Sequence, residues 1–240
     1  PPIKEFKQFA ELGFAGMTIP NEYGGQKLDD ISEAIVIEEL SRVDPSLGVM
    51  VAVHVGLCSM TIALSGSKEQ KEKYLPKLAT GEYLGAYSLS EAGSGTDAAA
   101  MVAKANKEDE FYVLNGEKMW VTNGTTADLF VLFAKVTDHP DYGKKSHGGV
   151  TCFIIEKGFE GFKIGKKEDK LGIRSSDTCT LILDNCKVPK ENVLGEVGKG
   201  FPIAMNALDN SRIGIAAQGL GIAQGAYESA LKYSKERETF

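Results

Sequence analysis

The chain has 240 residues, of which 42% are hydrophobic and 25% are charged, and its formal net charge is −6. A chain of this length and composition can form an ordinary hydrophobic core without disulfide or metal cross-links. The acidic balance argues against broad nucleic-acid binding, because that function needs a basic surface.

The N-terminal part, residues 1–81, has the pattern of helices. Asp30 followed by Glu33 resembles a capping box at the start of one helix. Asp44-Pro45 should end that helix, because the residue before a proline avoids the α-helical region. Ser67 with Gln70 predicts a second capping box. We therefore expect an N-terminal helical domain, incomplete in this chain.

One stretch of this part, residues 45–67, contains no Asp, Glu, Lys or Arg. A helix that crosses a membrane needs about 20 predominantly apolar residues. Here the apolar centre from Val49 to Leu64 is interrupted by polar and small residues, among them His54 and Gly56. We predict a buried helix that ends at Gly66, with His54 in the core, and no membrane insertion.

The middle part, residues 82–196, changes to runs typical of β-strands. Asn115-Gly116 lies between Phe111–Leu114 and Met119–Thr122, and Asn-Gly between two β-rich runs is the strongest short-range hairpin signal. Further strands are predicted at Leu84–Leu89, Leu129–Val136, Val150–Glu156 and Cys179–Leu183. No helical stretch separates them, which disfavours a parallel doubly wound sheet. The pattern predicts a closed or nearly closed antiparallel domain that resembles a barrel.

The C-terminal part, residues 197–240, is again helical, with a broad apolar face. Its glycines weaken an isolated helix, so we expect them to allow close backbone approach to neighbouring helices. They are Gly214, Gly219, Gly221 and Gly225. The sequence begins with Pro1-Pro2 and ends inside this predicted helix at Phe240. We expect an α+β protein of three parts, the last being the start of a C-terminal helical bundle, cut from a longer chain.

The cysteines are few and far apart. With only three histidines in the chain and no Cys-x-x-Cys pair, they predict neither a zinc site nor a disulfide framework. We expect reduced thiols, buried as small hydrophobic side chains, and no metal site. The four are Cys58, Cys152, Cys179 and Cys186.

Two segments are candidates for chemistry. Tyr87–Asp97 is a strand that enters a loop with two glycines spaced by one residue, and such a loop lets backbone amides approach a ligand closely. Asn115–Gly124 carries the only tryptophan, Trp120, alternating with Thr122 along a strand. An aromatic plane and a hydroxyl on one face could hold a flat heterocycle. Taken singly, the first segment could also be a plain turn, and the second a core tryptophan at a hairpin.

Together, in this order and spacing, the two segments resemble the signature of the acyl-CoA dehydrogenase family. The resemblance extends along essentially the whole chain. Its other matching segments are Leu12–Gly16, Ile19–Gly25, Leu171–Ser176, Val188–Gly195 and Arg237–Phe240. Within the family, the amino-acid sequence of these segments is most similar to that of bacterial short-chain, butyryl-CoA type members. The resemblance implies an FAD enzyme that removes two hydrogens from the α and β carbons of a short-chain acyl-CoA.

The resemblance also implies site residues. The cofactor positions are Tyr87, Leu89, Ser90, Thr96, Trp120, Val121, Thr122, Arg237 and Phe240. Tyr87, Leu89 and Ser90 would line the flavin ring, and Trp120 would pack beside it. The Thr122 hydroxyl would reach the N5 region. Arg237 and Phe240 would contact the FAD of a neighbouring subunit.

Substrate positions follow in the same way. Thr96 would be shared between the flavin pyrophosphate and the CoA, and Asp209, Ser211 and Arg212 would lie beside the acyl-pantetheine. Read without the family, Asp209 and Arg212 could equally be a surface ion pair on a helix.

The catalytic base is expected to be a carboxylate whose pKa is raised by an apolar pocket. The resemblance implies a glutamate in one of two helices. The first position is Ser211 here, so we expect the base to lie beyond Phe240 and its identity is left unknown. Glu91 lies in the loop of the Tyr87–Asp97 segment, where we expect it to hold the loop rather than to transfer protons.

The expected electron acceptor is an electron-transfer flavoprotein, and the expected assembly is a homotetramer. Two alternatives stay open: an oxidase or monooxygenase of the same fold, and a non-catalytic scaffold of the same architecture. The compartment would be the cytoplasm for a bacterial protein and the mitochondrial matrix for a eukaryotic one.

Overall fold

The structure is a computed structural model that describes all 240 residues. Six α-helices frame a central β-sheet, and the helices precede and follow it in the chain, so the α+β class is confirmed. The helices are α1 Ile3–Glu11, α2 Asp30–Val43, α3 Pro45–Ala52, α4 Met60–Ser65, α5 Lys68–Ala79 and α6 Gly200–Glu236. A π-helical segment, Val53–Ser59, joins α3 to α4. Short 3-10 turns occur at Phe14–Gly16, Asn21–Tyr23, Ala98–Ala100 and Lys190–Asn192.

The sheet has eight strands and is mixed rather than wholly antiparallel as predicted. The strands are β1 Gly85–Ser88, β2 Lys104–Glu108, β3 Phe111–Thr122, β4 Leu129–Val136, β5 Val150–Glu156, β6 Phe162–Lys167, β7 Thr178–Pro189 and β8 Val193–Leu194. Their order is β6-β7-β3-β2-β4-β5-β8, and β1 pairs with β4. The two end strands, β6 and β8, do not pair with each other, so backbone pairing does not close the sheet into a barrel.

The parallel pairs lie along one edge of β4. Ser88 at the end of β1 is opposite Leu132, and Lys104 at the start of β2 is opposite Lys135. The chain therefore leaves this edge after Ser88 and returns to it at Lys104. The excursion, residues 89–103, is named the flavin loop below, after the role that the resemblance implies for it. It is long enough to let β1 and β2 run in the same direction without a crossover helix.

Asn115-Gly116 does not form the predicted hairpin. Phe111–Thr122 is one strand, paired with β7 along its length, and the register shifts between Leu114 and Gly116. Gly116 has φ +145°, and a Cβ there would lie 2.8 Å from the Cβ of Ala103. The glycine therefore marks a bulge at a close backbone approach, which is the other meaning of glycine within a strand.

The predicted helix ends are largely confirmed. Ser67 and Gln70 form the capping box of α5, and Asp44 ends α2 in an extended conformation before Pro45. The first capping box is wrong by one residue. The N-cap of α2 is Asp29, whose carboxylate accepts a hydrogen bond from Ser32 N, so Asp30 is the first helical residue.

The apolar segment of residues 45–65 is the predicted buried helix. It is long and apolar enough to cross a membrane by composition, with a mean hydropathy of 2.1, but 72% of its most apolar window is buried inside the protein. His54 lies fully in this core, as expected. Its Nδ1 accepts a hydrogen bond from Gly85 N at 3.0 Å, and its Nε2 donates to Leu78 O at 3.1 Å. This histidine therefore joins the helix to both β1 and α5.

Helix α6 begins against the sheet and continues along α2. Cβ atoms at Gly221 and Gly225 would collide with the backbone oxygens of Glu38 and Arg42, so these two glycines allow the predicted close approach. Gly219 has nothing near it. Several apolar side chains of α6 remain exposed: Ile213, Ile215, Leu220, Ile222, Tyr227, Leu231 and Tyr233.

All four cysteines are buried and unpaired, as the sequence predicted. Burial raises the pKa of the Cys58 and Cys186 thiols to about 12. These thiols are therefore protonated at neutral pH and act as small apolar side chains.

Candidate functional site

The flavin loop is anchored by Glu91. This side chain is only 4% exposed, and its carboxylate accepts hydrogen bonds from Val102 N at 2.6 Å and Ala103 N at 3.2 Å. Glu91 therefore ties the start of the loop to its end. This agrees with the expectation that Glu91 holds the loop.

A buried lysine completes the anchor. Lys118 on β3 has no exposed side-chain surface, and its ammonium donates to Glu91 Oε1 at 2.7 Å and to Leu89 O at 3.0 Å. Burial lowers the pKa of Lys118, and the Glu91 carboxylate opposes that shift. Because the carboxylate also accepts two backbone bonds, the pair is a satisfied buried network rather than an isolated charge.

The two sequence segments meet at this anchor. Met119 N donates to Ser90 O at 2.9 Å, so the flavin loop lies directly against β3 next to Trp120. The structure thus brings Leu89 and Ser90 beside the tryptophan segment, and their roles at a flavin stay predictions. Sequence reasoning missed Lys118, because nothing in the pattern of β3 distinguishes this lysine from an exposed one.

Trp120 is turned out of the sheet. Lys118 is opposite Leu181 and Val121 is opposite Cys179, so β3 carries one extra residue at this point. Trp120 has φ +56° and is 58% exposed, which excludes the alternative of a core tryptophan. Val121 is buried in the core behind it, so only its backbone can face a ligand. Thr122 is half-buried at the end of the strand.

Unsatisfied hydroxyls lie at the end of β1. Tyr87 Oη and Ser88 Oγ are buried and have no hydrogen-bond partner in the chain. Burial raises the pKa of Tyr87 well above its ordinary value, so its hydroxyl is a neutral donor. Buried polar groups normally have partners, and orphaned ones point to a missing ligand or water.

The tip of the flavin loop is open. A Cβ at Gly93 or Gly95 would meet nothing within 4 Å, and Thr96 is exposed. Ser94 Oγ donates to Asp97 O at 2.8 Å and fixes the turn. Exposed backbone with an adjacent hydroxyl suits an anionic group such as a phosphate. An exposed aromatic plane, orphaned hydroxyls and this open loop together fit a flavin dinucleotide.

Beside the end of the loop is a lysine-lined pocket of about 440 Å³. It contains Lys104, Lys135, Lys144 and Lys145 with the Tyr142 side chain. Lys135 Nζ also donates to Ala99 O at 2.9 Å, which connects the pocket to the flavin loop. Sequence reasoning missed this pocket, because strands β2 and β4 and residues 142–146 are brought together only by the sheet.

Three family models match the chain in succession. They describe the acyl-CoA dehydrogenase N-terminal domain at residues 1–82, the middle domain at 86–186 and the C-terminal domain at 198–240. The chain belongs to the acyl-CoA dehydrogenase family. The resemblance found in the sequence is thereby confirmed.

Curated acyl-CoA dehydrogenases are similar along the whole chain. The short-chain specific enzyme of Clostridium acetobutylicum is 49% identical over 239 residues, covering 100% of this chain and 62% of its own length. The mitochondrial isovaleryl-CoA dehydrogenase of Solanum tuberosum is 45% identical, and the match covers 99% of this chain and 57% of that protein. The chain therefore spans about three fifths of the length of these relatives.

Solved structures agree with this assignment. Butyryl-CoA dehydrogenase from Megasphaera elsdenii has a TM-score of 0.91 at 43% identity, covering 98% of this chain and 61% of its own. Acyl-CoA dehydrogenase complexed with FAD from Bacillus anthracis has a TM-score of 0.91 at 42% sequence identity. The match covers 99% of this chain and 39% of that one. A third similar chain belongs to a structure described as the electron transferring flavoprotein of Acidaminococcus fermentans. Its TM-score is 0.93 at 47% sequence identity, and the match covers 99% of this chain and 61% of that one.

The acyl-CoA dehydrogenase resemblance also singled out residues of α6. Asp209 and Arg212 form an exposed ion pair at 3.0 Å. This is the surface ion pair that the helix spacing alone allowed. Ser211 is half-buried and faces the π-helical segment, because its Cβ lies 3.7 Å from a Cβ placed on Gly56.

Arg237 and Phe240 do not join the site within this chain. Both are exposed, and Arg237 Nη1 donates to Tyr233 Oη at 2.8 Å, in the last turn of α6. A role at a neighbouring subunit's cofactor stays a prediction.

Proposed function

We propose that the protein containing this chain is an FAD-dependent dehydrogenase of short-chain acyl-CoA thioesters. The observation that carries the proposal is Trp120, turned outward by a bulge directly beside the anchored flavin loop. The FAD named for the Bacillus anthracis relative and the short-chain specificity named for the Clostridium acetobutylicum relative support it.

The cofactor residues are proposed as the resemblance implied. Leu89 and Ser90 present backbone and hydroxyl to the flavin edge, and Trp120 packs against one side of the ring. Tyr87 Oη supplies a buried neutral donor that has no partner in the chain. Val121 contributes through its backbone, Thr96 reaches the pyrophosphate, and the Thr122 hydroxyl faces the N5 region.

The substrate is proposed to lie between the flavin loop and α6. Thr96, Asp209, Ser211 and Arg212 would contact its pantetheine and acyl parts. The lysine-lined pocket beside the loop suits the phosphates of CoA, since ammonium groups are strong donors to phosphate oxygens.

The reaction is the removal of a proton from the α carbon and a hydride from the β carbon, which leaves a trans-2-enoyl-CoA. When bound, FAD supplies the two-electron acceptor. The base is proposed to lie beyond Phe240. Glu91 is unsuited to it, because its carboxylate already accepts from Lys118 and two backbone amides.

We further propose three domains at residues 1–81, 82–196 and 197–240, and an assembly that is a homotetramer. The electron acceptor is proposed to be an electron-transfer flavoprotein, which the description of the Acidaminococcus structure supports. Relatives include bacterial and mitochondrial proteins. The compartment would be cytoplasm or mitochondrial matrix accordingly.

An anaerobic titration of the complete protein with butyryl-CoA tests the function. Bleaching of a bound oxidised flavin band is the expected result. Bleaching only by longer or branched acyl-CoA would reject the short-chain assignment. Rapid oxygen consumption on admitting air would favour an oxidase of the same fold. Purified protein that holds no flavin and cannot be reconstituted with FAD would reject the enzyme and favour a scaffold.

A further inference from the structure

Asn123 directly follows Thr122 and is bound to three separate elements. The residue has no exposed surface, and its backbone is left-handed with φ +65°. Its Nδ2 donates to Met50 O at 3.0 Å and to Gly85 O at 3.1 Å. Its backbone N donates to Asp177 O at 3.2 Å. One residue therefore ties the end of β3 to helix α3, to β1 and to the residue before β7.

The orientation of the Asn123 amide is fixed by its partners. The two carbonyl oxygens of Met50 and Gly85 both need a donor, so the amide nitrogen faces them. The amide oxygen Oδ1 is buried and has no hydrogen-bond partner in the chain. An unpaired buried acceptor costs free energy, so stability alone does not account for this arrangement. What the two donated bonds secure is a fixed position of the turn.

The same bonds set the position of β1, whose first residue is Gly85. Gly85 N donates to His54 Nδ1 at 3.0 Å, and Gly85 O accepts from Asn123. Both backbone groups of this glycine are thus bound by fully buried side chains. Two residues later, β1 carries Tyr87 and then enters the flavin loop. Asn123 therefore couples Thr122 to the strand that leads into this loop.

Left-handed backbone flanks Thr122 on both sides. Trp120 has φ +56° and Asn123 has φ +65°, whereas Thr122 between them is paired with β7. Such conformations persist only where the surrounding structure imposes them, and they cluster at active sites. The Asp177 carboxylate fixes the turn from the other side by accepting from Thr125 N and Thr125 Oγ1, both at 2.6 Å. Tertiary contacts thus determine where the Thr122 side chain lies.

We propose that Asn123 is a positioning residue for flavin reduction, which sets the distance and direction of the Thr122 hydroxyl toward the N5 region of the flavin. The inference rests on the proposed function, in which Thr122 faces that region. Asn123 has no exposed surface, so it does not itself touch FAD or substrate. Because it acts through Thr122, its effect should appear in the rate of flavin reduction and not in the binding of acyl-CoA.

The test uses the complete protein with FAD bound. Asn123→Gly tolerates the left-handed backbone but removes both donated bonds. The limiting rate of anaerobic flavin reduction by butyryl-CoA should fall about 10- to 100-fold, because a misplacement of about 1 Å can cost about 100-fold. The butyryl-CoA concentration that gives half of this rate should stay within about twofold of wild type. The visible absorption band of bound FAD, recorded without substrate, should shift because the hydrogen bonds at the flavin edge have changed.

A second variant and a control accompany this test. In Asn123→Asp, a carboxyl group buried against two carbonyl oxygens takes up a proton and donates to only one of them. Its reduction rate should lie between those of wild type and Asn123→Gly, and it carries the test if the glycine variant does not fold. Asn185→Gly is the matched control, since Asn185 is also left-handed at φ +52° but lies exposed on β7. It should change neither the rate nor the absorption band.

A double-mutant cycle separates positioning from a general loosening of the fold. Thr122→Val removes the hydroxyl through which Asn123 is proposed to act. In that background Asn123→Gly should lower the rate by less than about a further twofold, because the effects of two residues that act through one group do not add.

Two results would overturn the inference while leaving the proposed function intact. One is a reduction rate and an absorption band that are the same in wild type and the Asn123 variants. The other is an equal fold loss of rate from Asn123→Gly in the wild-type and Thr122→Val backgrounds, which would show that Asn123 supports the fold without acting through Thr122. Failure of every acyl-CoA to bleach the flavin bound to wild type would reject the proposed function, and this inference with it.

Discussion

The ammonium of Lys118 lies 2.7 Å from Glu91 Oε1, and both side chains are almost completely buried. The bond joins the flavin loop to β3 one residue before the bulge begins. Two segments that are separate in the sequence become one site through this contact. A buried ion pair is weak evidence for net stability, but the removal of one partner leaves an uncompensated charge.

Lys118→Met should therefore destabilise the protein by about 3–5 kcal/mol and reduce the bound FAD. Urea unfolding and the ratio of flavin to protein absorbance measure the two effects. Lys163→Met removes an exposed pair with Asp184 at 2.8 Å and is the control. It should change neither quantity, and an equal effect of both variants would contradict the role of burial.

Trp120→Ala should weaken FAD binding about tenfold, because stacking on an aromatic plane is worth on the order of 1 kcal/mol beyond its area. The fold should be little affected, since the side chain is largely exposed. Reconstitution of the apoprotein, followed by flavin fluorescence, measures the affinity. Phe111→Ala removes an exposed aromatic at the other end of β3 and should leave FAD affinity unchanged.

His54 should make stability depend on pH. Burial lowers the pKa of His54 to about 4, whereas it is 6.5 in an unfolded chain. Between these values the unfolded state binds the proton, so stability falls as pH decreases from 6.5 toward 4, by up to about 3 kcal/mol. Urea unfolding of wild type and of His54→Gln at pH 7 and pH 5 should show the His54 contribution as the difference between the two proteins, because every other titrating group is common to both. His54→Gln should remove it, whereas His147→Gln on the surface should keep it.

The titration of Glu33 should make the folding stability depend on pH in the opposite direction. Its pKa is about 7 when folded and 4.5 when unfolded, so the folded state holds the proton and stability falls as pH rises through this window. Glu33→Gln should stabilise the protein at pH 8 by up to about 3 kcal/mol and have little effect at pH 4. Thermal unfolding at the two pH values is the measurement. A variant that is equally stable to wild type at pH 8 would show that Glu33 is neutralised by a partner.

Gly116→Ala should destabilise the protein by about 1–3 kcal/mol, because its Cβ would meet Ala103 and its φ of +145° disfavours a side chain. Urea unfolding measures the change. Gly172→Ala is the control, since a Cβ there has open space and φ is ordinary. Similar small effects at both positions would argue against the bulge at Gly116.

Local sequence signals determined several elements of this protein directly. Asp44-Pro45 and the Ser67–Gln70 capping box mark helix boundaries because they act on backbone groups within a few residues. Strands β4 and β5 occur at the predicted positions, since long runs of buried apolar residues have few alternatives. The order of the Tyr87–Asp97 and Trp120–Thr122 segments was also enough to indicate the family.

Only the tertiary structure decided the rest. Asn115-Gly116 became a bulge because β7 pairs along the whole of β3, and the hydrogen bonds of that long pairing outweigh a two-residue turn preference. The direction of Trp120 and the burial of Lys118 follow from the same register. The Glu33 carboxyl meets Gly56 and Gly214 only when three helical elements pack together. These features depend on contacts between residues that are far apart in the chain. A local sequence pattern does not predict such contacts or their energies.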